Sequence, residues 1–564
     1  MNKEVKELRK KFKKYDIDGY IIPKNDDYFT EYSKINRLKI ISNFTGSAGL
    51  AIVLKDKNYL FTDGRYTIQS ENESGKYFKI INYEKIINCN LFKNLKLGID
   101  PKLFTHHQIN NYFLKHNKVK FLSNNLIDEI KISKITNNVP FFSIKDEIIG
   151  ENSKSKINKI TKYLKKNKAD NLFVSAPENV AWILNIRGGD GPNSPLPNSR
   201  LIINKSKKIF LITEPQKAKK LIKEKIINKN QLVITNDLPK KIMTLIGKNF
   251  IIDNKSCSIF YENIIKSKFK VIKREDPTYL LKAIKNNIEI NNMIKSHIID
   301  GVALTKFIYW IKKLNKKKIT EVDAQIKLEK FRKKSNKYLY PSFETIAGAG
   351  ENGAIVHYRA KKRDCRIIKK NDIFLCDSGG QYEYGTTDVT RTICFTKPKQ
   401  SIKNIYTKVL KGHIAVANTD LRFDNTGLKI DKRARKYLKE SKLDYAHGTG
   451  HGVGFFLNVH EGPQSISKLN KVKIQKGMIL SNEPGYYKKG SYGIRIENLV
   501  FVKQIKKKIF FENLTLAPIE KDLINYDLLT SSEKNYLFKY HLDVYIKLSK
   551  YLSPNERKWL ASYI

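Results

Sequence analysis

Hydrophobic and polar positions along the 564-residue chain repeat one plan twice and then change character. Val5 to Lys14 sets apolar residues at helical spacing among lysines, and Asp16-Ile17-Asp18-Gly19 leads into the apolar run Tyr20-Ile21-Ile22-Pro23. This pattern predicts a helix followed by a strand. Gly49 to Leu54 reads as a second strand and Tyr59 to Tyr66 as a hairpin-like segment. The plan recurs with a basic helix over Lys156 to Lys165 and the strand Leu172-Phe173-Val174-Ser175. A helix over Asn179 to Asp190 and strands at Arg200 to Ile203 and Lys208 to Ile212 follow. Alternation of this kind predicts two α/β domains. Their boundaries fall near residue 150, in Gly150-Glu151-Asn152-Ser153-Lys154, and near residue 280, before a helical pattern from Ala283 to Lys295. The expected division is 1–150, 151–284 and 285–564.

The third region opens with two or three amphipathic helices, ending near Lys334. Short β-rich runs follow at Asp372 to Asp377, Thr387 to Thr392 and Gly493 to Phe501, with helices at 401–416 and 430–440 between them. The tail, a helical extension from about 515 to 564, is rich in Tyr, Leu and Lys and is expected to cover the domain or meet a second chain. The whole is an α/β (α+β) chain. With 41% apolar residues it has ample core, and disorder is excluded as its main state.

Charge changes the picture less than its size suggests. Lys and Arg number 107 against 55 Asp and Glu, a formal net charge of +52. The lysines are spread through every segment among Asn and Ile, whereas a nucleic-acid site concentrates charge and interleaves stacking aromatics. The bias predicts salt-sensitive polyanion sticking and no nucleic-acid function. Cys89, Cys257, Cys365, Cys376 and Cys394 show no paired spacing, which fits a reducing compartment. Without an apolar leader or a run of 18 apolar residues, the expectation is a soluble cytoplasmic protein with no membrane partner.

The chemistry concentrates in His447-Gly448-Thr449-Gly450-His451-Gly452-Val453-Gly454 and the acids around it. Two histidines four apart on a helix, with a glutamate beside the first, would suggest a zinc metallopeptidase. Here Gly-Thr-Gly intervenes, and that glycine content disfavours helix, so the pair belongs on a strand or loop and need not share one ion. Asp377 and Asp388 flank a turn-like segment, so a hairpin can bring both to one face, where they repel unless cations hold them. Glu483 and Glu497 add two more carboxylates. Oxygen ligands with one imidazole suit Mn, Fe, Co or Zn.

Long ordered stretches carry a resemblance. They are Thr345 to Tyr358, Asp377-Ser378-Gly379, Gly385 to Thr392, His447 to Gly454, Asn458 to Pro463, Glu483 to Tyr487 and Gly493 to Asn498. Together they resemble the aminopeptidase P (Xaa-Pro aminopeptidase) branch of the pita-bread metallopeptidases. Phe44 to Gly49, Thr62 to Tyr66 and Asn185 to Gly188 resemble the paired creatinase-type domains of the long, three-domain form.

The resemblance implies two creatinase-type domains and a pita-bread catalytic domain holding two divalent ions, Mn2+ first with Zn2+ or Co2+ as alternatives. It assigns Asp377 to one metal, Asp388 and Glu497 as bridges, and His451 and Glu483 to the second. His357, His447 and His460 are expected to hold substrate, and Arg495 to orient a ligating carboxylate. The implied substrates are peptides with proline second, and the implied assembly is a homodimer. Two cations sharing a water would supply hydroxide near neutral pH. Glu483 is then the expected proton shuttle to the leaving proline nitrogen, and His460 the group facing the developing oxyanion. His106, His107, His297 and His413 carry no role in this reading. A scaffold protein on the same fold would have lost ligand positions, which are intact here. Creatinase lacks the metal carboxylates, and prolidase differs only in a dipeptide-sized pocket.

Overall fold

The computed structural model describes residues 3–87, 91–131, 138–313 and 318–564. Cys89 lies outside them. The chain forms two compact units, Met1–Tyr279 and Leu280–Ile564.

The first unit contains two six-stranded mixed sheets built alike. The strand Gly19–Pro23 pairs antiparallel with Leu50–Leu54 on one side and parallel with Lys96–Ile99 on the other. In the second sheet Asn171–Val174 stands in the same position, antiparallel to Arg200–Asn204 and parallel to Asn249–Ile252. Both central strands are buried along their whole length, which is why they read as continuous apolar runs. Two segments depart from expectation. Tyr59 to Tyr66 is the strand Asn58–Thr62 followed by a 3-10 turn, because the Asp63 carboxylate accepts from Arg65 N and caps that turn. The helix expected to reach Asp190 ends at Leu184, where Asn185 takes a left-handed conformation (φ 55°).

In the second unit the helix expected from Ala283 is interrupted. Thr278–Ala283 ends, and Asn286 caps Asn287–Lys312 by accepting from Ile288 N and Glu289 N while Glu289 returns to Asn286 N. Three antiparallel strands, Ile346–Ala349, Ile373–Ser378 and Val389–Cys394, form one sheet. A five-stranded sheet runs in the order Glu461–Ile466, Gly450–Gly452, Ile479–Asn482, Asn498–Ile505, Lys508–Asn513. The run expected as one strand from Gly493 to Phe501 is split. Tyr492–Arg495 pairs with Gly485–Lys488, whereas Asn498–Ile505 joins the five-stranded sheet, so Ile496 and Glu497 make the crossing.

The helices Gln400–Ala417 and Ser531–Leu548 and the end of Pro554–Ala561 contribute to one apolar core with Ile494 and Ile496. Buried Arg391 ties this layer together, donating to the carbonyls of Ala517 and Pro518, to Tyr540 and to the carbonyl of Glu497. No helix among the described residues is long and apolar enough to cross a membrane.

A second buried cation fixes the turn after Asp377. Arg332 donates to both oxygens of Asp300, at 2.7 and 3.3 Å, and to Ser378 Oγ at 3.1 Å, while Tyr382 donates to Asp300 at 2.7 Å. Asp300→Ala leaves the guanidinium buried without its counter-charge. We expect a loss of about 3 kcal/mol in denaturant unfolding. A loss below about 1 kcal/mol would show that Ser378 and the carbonyl of Gly379 satisfy Arg332 without the acid.

Candidate metal centre

Each acid sits where a strand begins or stops. Asp377 is the penultimate residue of Ile373–Ser378, opposite Thr390, and Asp388 immediately precedes Val389–Cys394, so the expected hairpin arms bring the two aspartates to one end. Between the arms Gly380–Tyr382 and Gly385–Thr386 form a small hairpin of their own. Gly379 belongs here for lack of room, since a Cβ would meet the carbonyl oxygen of Thr387 at 2.0 Å. Glu483 follows Ile479–Asn482, its N–H donating to the carbonyl of Thr449 at 2.8 Å. Pro484 then stops the ladder, having no N–H to give. Glu497 lies in the split described above, its N–H donating to the carbonyl of Thr390 at 3.2 Å.

His451 lies on the short strand Gly450–Gly452, as its glycine neighbours predict, and His447 lies in the loop before it. Gly450 admits the close approach: a Cβ there would meet the carbonyl oxygen of Ser481 at 1.9 Å. His451 Nδ1 donates to the carbonyl of Gly452 at 2.9 Å, which fixes the tautomer and turns Nε2 towards the acids. Nε2 lies 3.4 Å from Asp388 Oδ2 and 3.6 Å from Glu483 Oε1. Single ligand atoms of Asp388, His451 and Glu497 all fall within 4.8 Å of one another.

The remaining predicted residues close around this group. Arg495 donates to Asp377 Oδ2 at 2.6 Å and to Thr390 Oγ1 at 3.0 Å, and Thr390 Oγ1 donates to Glu497 Oε2 at 2.7 Å. Arg495 also donates to Tyr487 OH at 2.6 Å, and Tyr487 donates to His447 Nε2 at 2.8 Å. His447 Nδ1 donates to the carbonyl of Gly448 at 2.7 Å, so both its ring nitrogens have protein partners. The His460 ring stands edge-on to His451, centroids 4.3 Å apart. His357 follows a 3-10 turn at Gly350–Ala354, which Gly350 starts by taking φ 56°. The carbonyl of Val356, just before it, accepts from Arg495 Nη2 at 3.4 Å.

Thr390, Ser481 and Tyr487 were not singled out by sequence reasoning. Tyr487 and Thr390 stand inside the quoted motifs, and Ser481 is marked only by its place two residues before Glu483. Ser481 Oγ accepts from His451 N at 2.9 Å and donates to Glu483 Oε1 at 3.2 Å, joining the two groups.

Electrostatics show what the arrangement favours. Burial, with the charges of Asp388 and Glu483, lifts Asp377 to about 6 against the opposing pull of Arg495. Burial and three neighbouring carboxylates raise Glu497 well above its ordinary range, and burial raises Glu483 although His451 and Arg495 oppose it. For His451 burial would favour the neutral ring, but the Asp388 hydrogen bond and the Glu483 charge outweigh it and push it to about 9. Asp377 Oδ1 is buried without a hydrogen-bond partner. Acids forced together this way, with one orphaned oxygen and an imidazole nitrogen turned inward, fit divalent cations.

Comparison with known proteins bears on the same residues. Residues 291–504 match the model for metallopeptidase family M24, and 508–563 the C-terminal region of peptidase M24. Residues 5–129 and 133–289 each match a creatinase/prolidase N-terminal domain. A probable Xaa-Pro aminopeptidase P of Laccaria bicolor is 36% identical over 98% of this chain and 91% of its own length. The chain belongs to the Xaa-Pro aminopeptidase P family. Xaa-Pro aminopeptidase 1 of Dictyostelium discoideum, another similar protein, is 36% identical over 100% of this chain and 96% of its own. The crystal structure of an X-prolyl aminopeptidase from Caenorhabditis elegans, described as a cytosolic enzyme with a di-nuclear active site, matches with a TM-score of 0.91. It is 29% identical over 99% of this chain and 98% of that one. The family fold is therefore two creatinase-type domains followed by a pita-bread catalytic domain.

Proposed function

We propose that this protein is a dinuclear metal aminopeptidase that releases the first residue from peptides whose second residue is proline. The observation that carries the reading is the meeting of Asp377, Asp388, His451, Glu483 and Glu497 at one centre, where burial together with the neighbouring acids lifts Asp377 and Glu497 out of the ordinary carboxylate range. The substrate comes from the names of the relatives. In this reading the domains divide as 1–150, 151–284 and 285–564. A cytoplasmic homodimer completes it, the location resting on the cytosolic relative and the pairing on the family resemblance.

Asp377 would hold one ion, Asp388 and Glu497 both, and His451 and Glu483 the second. Two bound divalent ions, Mn2+ with Zn2+ or Co2+ as alternatives, supply Lewis acidity and a water acidified towards neutral pH. Glu483 keeps 18% of its side chain exposed, and it takes the water proton and delivers it to the proline nitrogen. That delivery matters because an amide nitrogen leaves as an amine only once it is protonated. His460, packed on His451, donates to the carbonyl oxygen as charge develops there. His357 and His447 line the substrate side. The nitrogens of His447 are engaged by Tyr487 and Gly448, so its contribution is shape and the orientation of Tyr487. Arg495 holds Asp377 directly and Glu497 through Thr390, which sets both carboxylates at fixed angles.

The test is cleavage of an Xaa-Pro-Xaa tripeptide, an Xaa-Pro dipeptide and an Xaa-Ala tripeptide by the purified protein, with and without added Mn2+. We expect Mn2+-dependent cleavage of the proline tripeptide, faster than the alanine peptide by about 100-fold or more. Equal rates on proline and alanine peptides would overturn the specificity, and preference for the dipeptide would make the protein a prolidase.

A further inference from the structure

Glu483 and Glu497 share a difficulty: each lies in a gap between two strands. Glu483 falls between Ile479–Asn482 and Gly485–Lys488, and Glu497 between Tyr492–Arg495 and Asn498–Ile505. A residue in a ladder takes its direction from hydrogen bonds on both sides, whereas at a gap something else must set it. Against the strands Ile479–Asn482, Gly485–Lys488 and Tyr492–Arg495 packs the long helix Gln400–Ala417, anchored in the core by Tyr406, Val409, Leu410 and Ile414.

His413 on this helix is buried completely. Its Nδ1 donates to the carbonyl of Asn482 at 3.1 Å, and Asn482 Nδ2 returns a hydrogen bond to the carbonyl of His413 at 2.9 Å. Asn482 is itself buried and immediately precedes Glu483. The same imidazole lies beside the backbone of Ile496, which immediately precedes Glu497, its Nε2 buried there without a hydrogen bond. One ring therefore touches the residue before each glutamate and ties both gaps to a rigid helix.

We propose that His413 is a positioning residue for the metal centre: its clasp with Asn482 and its contact with Ile496 set the directions of Glu483 and Glu497. The inference rests on the reading of those glutamates as metal ligands. Burial and the nearby charge of Arg391 push His413 down to about 3, so the ring stays neutral and its single N–H is committed to Asn482. A neutral brace adds no positive charge that the bound ions would oppose. Ring shape, one donor and burial are what the position uses.

The experiment is calorimetric titration of metal-free protein with Mn2+, beside steady-state kinetics on the Xaa-Pro-Xaa tripeptide. His413→Phe keeps the ring and removes the donor. Its Mn2+ dissociation constant should rise about 10-fold or more, with kcat falling by a similar factor and KM within about 2-fold of the parent. His413→Asn, which restores a short donor, should recover most of both. An unchanged Mn2+ affinity and kcat in a folded His413→Phe protein would overturn the proposal, as would a lowered melting temperature with no change in either. Should His413→Phe fail to fold, Asn482→Ser removes only the return bond. It should shift affinity the same way by a smaller factor, and no shift there would equally overturn the clasp. Glu483→Gln and Glu497→Gln separate the two readings. If they also bind Mn2+ normally, the ligand assignment fails. If they lose it while His413→Phe does not, only the positioning role fails.

Discussion

Replacing Glu483 by alanine should silence turnover and leave the fold intact. In the proposed mechanism this carboxylate both holds an ion and moves a proton, so its removal takes away two contributions at once. A positioned acid-base group alone is worth about 10²–10⁴-fold, and a misplaced ion adds to that, so kcat/KM should fall by about 10³-fold or more. Stability should behave oppositely. Glu483 keeps part of its side chain in solvent; that side chain accepts from Ser481 Oγ, and its backbone N–H donates to the carbonyl of Thr449. Without cations its charge adds to that of Asp377, Asp388 and Glu497 and is offset by His451 and Arg495, so deleting it relieves burial and repulsion while giving up those attractions. The thermal transition in chelator should therefore be unchanged or slightly raised. Activity within tenfold of the parent would refute the role, and a collapse of the chelated protein would show that Glu483 is structural.

The parts of this centre legible in the sequence were those whose geometry is local. Asp377 and Asp388 flank a stretch dense in glycine, and a hairpin there needs no knowledge of the rest of the fold. The glycines of His447 to Gly454 excluded a helix for the same reason. Glu483 and Glu497 were recognised as chemistry, but their placement was not. The alternation of Gly493 to Phe501 runs unbroken through Glu497, because Ile494 and Ile496 are both buried although the strands on either side belong to different sheets. A period-two pattern reports burial, not which sheet does the burying. The break at Asn286 is made by a capping box with Glu289, a local device that the apolar periodicity on both sides masks in the sequence. His413 had no signal at all. On its own helix it is one buried position among apolar neighbours, and its partners at Asn482 and Ile496 lie 69 residues and more away along the chain. The +52 charge was informative in the negative sense, since the acids that matter form a minority gathered at one point.

Removing the metal should make stability fall as pH rises, through groups that would normally be silent there. A carboxyl whose folded value is raised binds its proton more tightly folded than unfolded. It contributes nothing below its unfolded value and costs stability increasingly up to its folded one. Asp377 moves from 3.8 to about 6, which is a cost of about 3 kcal/mol complete by neutral pH. Glu483 and Glu497 act in the same direction. His451, raised from 6.5 to about 9, is a cation held by its neighbours. Its stabilisation is present below pH 6.5 and lost as pH rises through 9, again a fall. Against this stands the general repulsion of a very basic chain, which eases as its acids ionise, so the raw curve mixes two opposed effects. The difference between the parent and Asp377→Asn, both in chelator, isolates the site. Relative to the parent, that variant should gain about 3 kcal/mol between pH 4 and 7 in denaturant unfolding, whatever its offset at pH 4. Added Mn2+ should reverse the parent's loss over the same window, because a cation binds the deprotonated ligands and displaces the protons. A difference that stays flat from pH 4 to 7, or Mn2+ stabilisation as large at pH 4.5 as at pH 8, would mean that neither burial nor the neighbouring acids hold a proton on Asp377 in the folded chain. Bound cations would then find no proton to displace and no repulsion to relieve at this centre.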